Sequence, residues 1–202
     1  MKTPTYISEC PSELRQQLAF VLEIDRLKSV IRRSYLADES RHENSAEHSW
    51  HLAMMVLVLC GYASEPIDLL KTLQLVLLHD VVEIDAGDAF IYDAAAQQKR
   101  EQLERAAAIR IFGLLPPKQG EEFHRLWLEF EERRTPEARF AGAVDRLMPL
   151  LHNCFTGGRS WKEHKVTRDR VINKNQIIAD GSESLWNLAK ALIEETLPAG
   201  EG

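Results

Sequence analysis

The chain has 202 residues, of which 45% are hydrophobic and 28% charged, and its formal net charge is −6 at pH 7. This length suits one domain with a substantial core, and the composition is that of a globular protein rather than a disordered one. The negative charge argues against a large nucleic-acid-binding face, which would need clustered basic residues. A small anionic ligand is still compatible with this negative net charge, because a metal ion and one or two arginines can make the local potential positive.

The sequence carries no mark of a secreted or membrane protein. Its three cysteines, Cys10, Cys60 and Cys154, are odd in number and too widely spaced for a disulfide framework or a CxxC metal site, so we expect free thiols in a reducing compartment. The first ten residues lack the basic flank and apolar run of a signal peptide. The most apolar stretch, residues 52–60, is shorter than the roughly 20 residues that a membrane helix needs. We therefore expect a cytoplasmic protein with neither membrane nor nucleic acid as a partner.

The spacing of apolar residues predicts helices along the first half of the chain. Apolar side chains recur at three- and four-residue steps from residue 12 to about residue 33, which predicts the first helix. Residues 34–44 are polar and predict a loop. Ser45 is typical of an N-cap and is expected to begin a second helix that extends to residue 62. Pro66 opens a third, from residue 67 to about residue 83, which the segment 86–88 breaks.

The second half of the chain continues the same pattern. Helices are predicted over residues 94–112, 118–133 and 136 to about 155, followed by a turn at 156–158, and a last helix over 182–195. Few β-branched residues alternate with a period of two, so no sheet is expected. The expected fold is an all-α, single-domain helical bundle over residues 1–202, with a core at about 14–155 and a C-terminal helical extension at 156–202.

Side chains that can bind a metal interrupt three strongly apolar helices. They are His48, the doublet His79-Asp80, and Asp145. A charged aspartate in apolar surroundings is costly unless it is paired or bound to a cation. Two imidazoles and two carboxylates form a mixed nitrogen and oxygen ligand set, which suits Mn, Fe, Co, Ni or Zn rather than Ca. The pattern predicts one divalent metal site in the bundle.

Adjacent residues on a regular helix point about 100° apart, so His79 and Asp80 can share an ion only if it lies over the side of their helix. His48 and Asp145 would then reach it from neighbouring helices. Such a site keeps open positions for water and substrate, as catalytic metal sites do. Taken alone, each of these residues is also typical of a helix cap, a buried core histidine or one member of an ion pair. A purely structural helical module is therefore an alternative interpretation of the pattern.

The four positions and their surroundings resemble the HD-domain superfamily of metal-dependent phosphohydrolases. The similarity is strongest to the branch that contains 5′-deoxynucleotidases, and it extends from about residue 14 to residue 155. The segments that carry it read LKSVIRRSYL (27–36), ENSAEHSWHLA (43–53), LLHDVVEIDAGD (77–88) and AVDRLMPLLHN (143–153).

This resemblance implies an all-α fold, a divalent metal such as Co or Mn, and release of phosphate from (deoxy)nucleoside 5′-monophosphates or a similar small phosphomonoester. It also implies roles by position. The metal ligands are His48, His79, Asp80 and Asp145. The catalytic residues are Glu83, which would face the metal-bound water as proton shuttle, Asp80 as the alternative proton acceptor, and Arg32. The substrate-binding residues are Arg32 or its neighbour Arg33 at the phosphate, Asp88 at the sugar hydroxyl or the water network, and Tyr35.

Two departures from this branch affect substrate selectivity rather than the metal site. Tyr35 stands where a tryptophan is expected, and the loop at residues 34–44 is longer. Other functions stay open on the same fold: hydrolysis of a nucleoside triphosphate, a cyclic nucleotide or a non-nucleotide phosphate, or nucleotide-dependent regulation without turnover. Apolar faces on several helices are compatible with a homodimer.

Overall fold

A computed structural model describes residues 7, 9–88, 91–92 and 94–198, with residues 94–99 described by their backbone alone. The α-helices of this part are, in chain order, α1 (Ser12–Ile24), α2 (Ser45–Leu59), α3 (Leu69–Leu78), α4 (Glu83–Ala86), α5 (Ala94–Phe112), α6 (Pro117–Glu132), α7 (Pro136–Phe155), α8 (Arg159–Glu163), α9 (Arg168–Asn175), α10 (Ile178–Gly181) and α11 (Glu183–Thr196). Three 3-10 helices cover Asp25–Ser29, Cys60–Tyr62 and His79–Val82. The all-α prediction is confirmed.

Helix α7 is the centre of the bundle. It contacts α2, α3, α6, α10 and α11, and its residues Phe140, Ala141, Ala143 and Val144 are completely buried. The short helix α10 approaches it so closely that a Cβ atom at Gly181 would overlap the backbone oxygen of Arg139. The C-terminal segment is therefore part of the same core as the helices before it.

A β-hairpin replaces the end of the first predicted helix and both ends of the loop predicted at residues 34–44. The expectation that the chain has no sheet was therefore wrong. Strand β1 (Ile31–Tyr35) pairs antiparallel with β2 (His42–Asn44), with Ile31 opposite Asn44 and Tyr35 opposite His42. Helix α1 ends at Ile24, and the 3-10 helix Asp25–Ser29 leads into the strand. The β-branched pair Val30-Ile31 favours extended backbone, and strand pairing supplies the backbone hydrogen bonds that a loop would lack.

Other helix boundaries also differ from the sequence prediction. The second helix is capped by Asn44 rather than Ser45, since the Asn44 side chain accepts a hydrogen bond from the backbone N–H of Glu47. The third predicted helix changes to 3-10 geometry at His79 and ends before Gly87, which has a positive φ of 74°. The helices at 94–112 and 136–155 are as predicted. In the part of the chain that is described, no helix combines the length and apolar character needed to cross a bilayer.

Candidate active site

The four predicted metal ligands meet at the centre of the bundle. His48 lies in the first turn of α2, His79 and Asp80 begin the 3-10 helix after α3, and Asp145 lies midway along α7. His48 Nε2 is 3.1 Å from Asp145 Oδ1 and 3.9 Å from Asp80 Oδ2. His79 Nε2 is 2.9 Å from Asp80 Oδ1 and 3.6 Å from Asp145 Oδ1. Side chains separated by up to 97 positions in sequence thus share one location.

The arrangement around His79 fits a bound cation. His79 Nδ1 lies 2.8 Å from the carbonyl oxygen of Val76, and because a carbonyl only accepts hydrogen bonds, Nδ1 carries the proton. When Nε2 carries no proton, its lone pair points towards the oxygens of Asp80 and Asp145. This Nε2 is buried and has no hydrogen-bond partner among the described residues. A lone pair that faces two carboxylates is repulsive unless a positive charge lies between them, as a metal ion would.

The pKa shifts of these predicted ligands also indicate that the site favours a cation. Burial lowers the pKa of His79, but the charges of Asp80 and Asp145 outweigh it and raise this pKa to about 10. Burial raises the pKa of Asp145, but its contacts with His48 and His79 hold the pKa well below the ordinary value. The pKa of Asp80 is also lowered, since His79 and Arg32 outweigh burial. The site therefore has a strong preference for positive charge at its centre.

Glu83 lies beside this site at the start of α4 and is only 1% exposed. It accepts a hydrogen bond from Ser45 Oγ at 2.7 Å and one from Arg100 Nη2 at 3.2 Å. Burial and the charge of Asp80 raise the pKa of Glu83 to about 7, although Arg32 opposes the shift. A carboxyl group with this pKa can take up and release a proton near neutral pH.

Arg32 reaches the site from β1 and is surrounded by carboxylates. Its Nη1 donates to Asp80 Oδ2 at 2.6 Å and lies 3.8 Å from Glu83 Oε2, while its Nε lies 3.7 Å from Glu43 Oε2. Burial lowers the pKa of Arg32, but the charges of Asp80 and Glu83, followed by those of Asp88 and Asp145, raise it above its ordinary value. Arg32 therefore keeps its charge and partly balances the negative carboxylates.

The other predicted substrate residues lie at different distances from the centre. Arg33 and Asp88 line the same cavity as His79, Asp80 and Asp145. Tyr35 does not line it. Its ring stacks on His42 at a centroid distance of 4.0 Å, and the guanidinium of Arg159 lies 3.9 Å from the ring centroid on the hairpin surface. The structure thus brings together all the predicted site residues except Tyr35.

A cavity of about 460 Å³ opens beside the metal ligands, and its wall contains arginines that the sequence reasoning missed. Arg100, Arg133 and Arg146 belong to this wall. The Nε atoms of Arg133 and Arg146 are buried without a hydrogen-bond partner among the described residues. Burial lowers the pKa of Arg146 in spite of the adjacent Asp145. An arginine next to Asp145 in an apolar helix could have pointed to Arg146, whereas Arg133 had no comparable signal.

The conformation of Arg133 also contributes to this wall. It ends helix α6 in a left-handed conformation with φ 52°, and its guanidinium carbon lies 6.0 Å from the ring centroid of Phe130. A non-glycine residue in this conformation is uncommon, and such strain clusters at functional sites. Two arginines that have no carboxylate partner in the described part of the chain, beside a metal-competent site, form a suitable surface for an anionic ligand.

Comparisons with known proteins agree with this arrangement. The family model described as HD domain matches residues 24–186. The 5′-deoxynucleotidase HDDC2 of Xenopus laevis is 27% identical over 143 residues, which cover 70% of each chain. The Dictyostelium discoideum protein of the same name is 31% identical over 114 residues, covering 54% of this chain and 60% of the relative.

Solved structures extend the similarity over almost the whole chain. A predicted metal-dependent phosphohydrolase from Magnetospirillum magnetotacticum MS-1 is 50% identical, has a TM-score of 0.88, and matches 92% of this chain and 93% of its own. A conserved hypothetical protein from Pyrococcus furiosus, 20% identical with a TM-score of 0.61, shares the fold. With the family model matching most of its length and the metal-competent residues gathered at one point, this chain belongs to the HD domain family.

Proposed function

We propose that this protein is a metal-dependent phosphohydrolase that releases phosphate from nucleoside 5′-monophosphates. The convergence of His48, His79, Asp80 and Asp145 on one point carries the proposal. The names of its relatives support it, since the curated ones are 5′-deoxynucleotidases and the 50% identical structure is a predicted metal-dependent phosphohydrolase. A preference for deoxyribose over ribose is a further part of the proposal.

The same four residues would hold the ion. A divalent transition ion bound there would supply Lewis-acid polarisation of a phosphoryl oxygen and lower the pKa of a water molecule. His79 would contribute Nε2, because its Nδ1 is held by the carbonyl of Val76. Asp80 and Asp145 would contribute carboxylate oxygens, and both groups stay ionised because their pKa values are lowered.

Glu83 is proposed to move the proton. Its pKa of about 7 lets it accept a proton from the attacking water and return it to the leaving alcohol. Ser45 and Arg100 fix the orientation of the carboxylate through hydrogen bonds of 2.7 and 3.2 Å. Asp80, the second catalytic carboxylate predicted from the sequence, is proposed to assist by its charge, which together with burial raises the pKa of Glu83.

The arginines are proposed to bind the phosphate and balance its charge. Arg32 is closest to the metal ligands, and Arg33 lies at the cavity edge next to it. Arg133 and Arg146 face the cavity without carboxylate partners among the described residues, so a substrate anion can pair with them without breaking an existing ion pair. Asp88 lines the cavity and is proposed to bind the sugar hydroxyl.

A homodimer and a cytoplasmic location belong to the same proposal. Large apolar side chains are exposed on α2 and α3, among them Trp50, Val58 and Leu70, and such surfaces often mark contacts between subunits.

The experiment is a phosphate-release assay on chelator-stripped protein. Nucleoside monophosphates with ribose and with deoxyribose are tested with added Co, Mn, Mg or Zn, together with nucleoside triphosphates and cyclic nucleotides. We expect metal-dependent release from monophosphates. Asp145→Ala should lose activity together with metal binding at the site of His48, His79 and Asp80, while the exposed Asp169→Ala should behave as the wild type.

Two outcomes would contradict the proposal. Full activity in Asp145→Ala would remove this aspartate from the metal site. A wild-type protein that binds metal and nucleotide but releases no phosphate would support a regulatory role instead.

A further inference from the structure

A second group of metal-competent side chains lies outside the site described above. It consists of Glu43 on β2, His51 on α2 and His152 on α7, and one potential ligand atom from each lies within 4.8 Å of the others. His51 follows His48 by one helical turn, and His152 follows Asp145 by two turns. This cluster therefore lies further along the same contact between α2 and α7 that brings His48 to Asp145.

The side chains of the cluster are available as ligands. His152 is 7% exposed, and its Nδ1 is buried with no hydrogen-bond partner among the described residues. Burial lowers the pKa of His152, so its ring is neutral and keeps a lone pair near pH 7. A buried nitrogen without a partner costs free energy that a bound ligand would offset. His51 is exposed, which gives an ion access from solvent.

Glu43 links this cluster to the first site. Its carboxyl group is 1% exposed, and its Oε2 lies 3.3 Å from His48 Nδ1 and 3.7 Å from Arg32 Nε. Because a carboxylate has two oxygens, Glu43 can face His48 with one and bind an ion with the other. The positive charge of Arg32 nearby weakens cation binding here, so a lower affinity is expected than at the first site.

The ligand set defines the class of ion. Two imidazoles and one carboxylate favour zinc, nickel, cobalt or iron over magnesium and calcium, which prefer oxygen ligands. Ligand atoms about 2.1 Å from a shared zinc ion lie no more than about 4.2 Å apart. The ligand atoms of the cluster lie within 4.8 Å of one another, so the longest separation exceeds this range by about 0.6 Å at most.

We propose that Glu43, His51 and His152 form a second site for a divalent transition-metal ion, separate from the site of His48, His79, Asp80 and Asp145 and joined to it through the contact between Glu43 and His48. Each site draws one ligand from α2 and one from α7, so both ions would hold the same pair of helices together. This proposal does not depend on the reaction that the first site performs.

The test is zinc stoichiometry of the full chain after removal of bound metal. Zinc is titrated by calorimetry, and the zinc content after desalting is measured by mass spectrometry. We expect two ions per wild-type chain in two affinity classes. His51→Ala and His152→Ala should each lose the weaker class, Asp145→Ala should lose the tighter class, and the Asp145→Ala/His51→Ala double variant should lose both. His164→Ala, which removes an exposed imidazole elsewhere, should bind as the wild type does.

The comparison between variants decides the outcome. Two ions bound by both His51→Ala and His152→Ala, with unchanged affinities, would overturn the proposal. A single ion in the wild type that Asp145→Ala abolishes would overturn it too. Since His51 is exposed, its replacement should leave the fold intact, and circular dichroism checks this for every variant.

Discussion

Two buried carboxylates beside the metal-competent site have opposite pKa shifts. The pKa of Asp80 is lowered, because His79 and Arg32 outweigh its burial. The pKa of Glu83 is raised to about 7, because burial and the charge of Asp80 act in the same direction. Neighbouring acids whose environments separate their pKa values commonly divide the roles of ionised ligand and proton carrier. This difference assigns proton transfer to Glu83 and metal binding to Asp80 in the proposed mechanism.

Replacing Glu83 with glutamine tests this division of roles. Glutamine keeps the size of the side chain and an oxygen that can accept from Ser45, but it cannot exchange a proton. We expect kcat to fall by roughly 10²- to 10⁴-fold, the usual contribution of general acid–base catalysis, with unchanged metal content. Glu121→Gln, an exposed residue on α6 that does not line the cavity, is the control. A kcat within a few-fold of the wild type would exclude Glu83 as the proton carrier.

Replacing Arg146 with methionine tests the basic cavity wall. Methionine retains apolar bulk but removes the charge, so the substrate phosphate loses a charged hydrogen bond worth about 1.5–3 kcal/mol. We expect KM for a nucleotide, and the inhibition constant for inorganic phosphate, to rise by roughly 10- to 150-fold. Arg125→Met removes an exposed arginine on α6 and should change neither constant. Equal constants in the two variants would show that Arg146 does not contact the anion.

At the scale of single elements, the start of α2 positions His48. Asn44 and Glu47 form a reciprocal capping box, in which each side chain accepts a hydrogen bond from the backbone N–H of the other residue. Arg41 further holds Glu47 through a contact of 2.7 Å. Ser45, which the sequence suggested as the cap, instead donates to Glu83. One short segment therefore positions both a proposed metal ligand and the proposed proton carrier.

Asn44→Ala should therefore destabilise the fold by about 1 kcal/mol, the typical cost of losing an N-cap. The measurement is urea unfolding, where the midpoint should decrease while the slope m stays constant. Ser40→Ala, in the exposed hairpin turn, should change the free energy of unfolding by less than about 0.5 kcal/mol. If the two variants are equally stable, the capping box does not stabilise α2.

At the scale of the whole molecule, the proposed ion connects helices distant in sequence. Its ligands come from α2, from the 3-10 helix after α3, and from α7. The unfolded chain does not hold these side chains together, so the ion binds the folded state preferentially. Binding of this kind stabilises a protein in proportion to the logarithm of the free metal concentration.

Metal addition should therefore raise Tm, and chelation should lower it. At a free metal concentration 100 times Kd, the expected stabilisation is about 2.7 kcal/mol. Differential scanning calorimetry of chelator-treated and metal-loaded protein measures it. Asp145→Ala should lose most of the metal-dependent increase, whereas Asp169→Ala should keep it. A Tm independent of cobalt, manganese and zinc would contradict the metal site.

The sequence by itself determined the helical fold and the metal-competent residues. The spacing of apolar residues depends only on the local sequence, and it predicted the positions of α5 and α7. His48, His79, Asp80 and Asp145 stood out because a polar side chain in an apolar helix needs a partner. These predictions required no knowledge of which helices are neighbours.

Only the tertiary structure decided which distant residues meet. The hairpin depends on pairing between residues 31–35 and 42–44, which the local period of the first helix concealed. Arg133 and Arg146 face one cavity, and Glu43, His51 and His152 form one cluster, because α7 packs against its neighbours at a particular rotation and depth. The same packing determines the burial and the neighbouring charges that shift the pKa values of Asp80 and Glu83. The hairpin, the cavity wall, the cluster and these pKa shifts all arise from contacts between residues distant in sequence, which no local sequence pattern records.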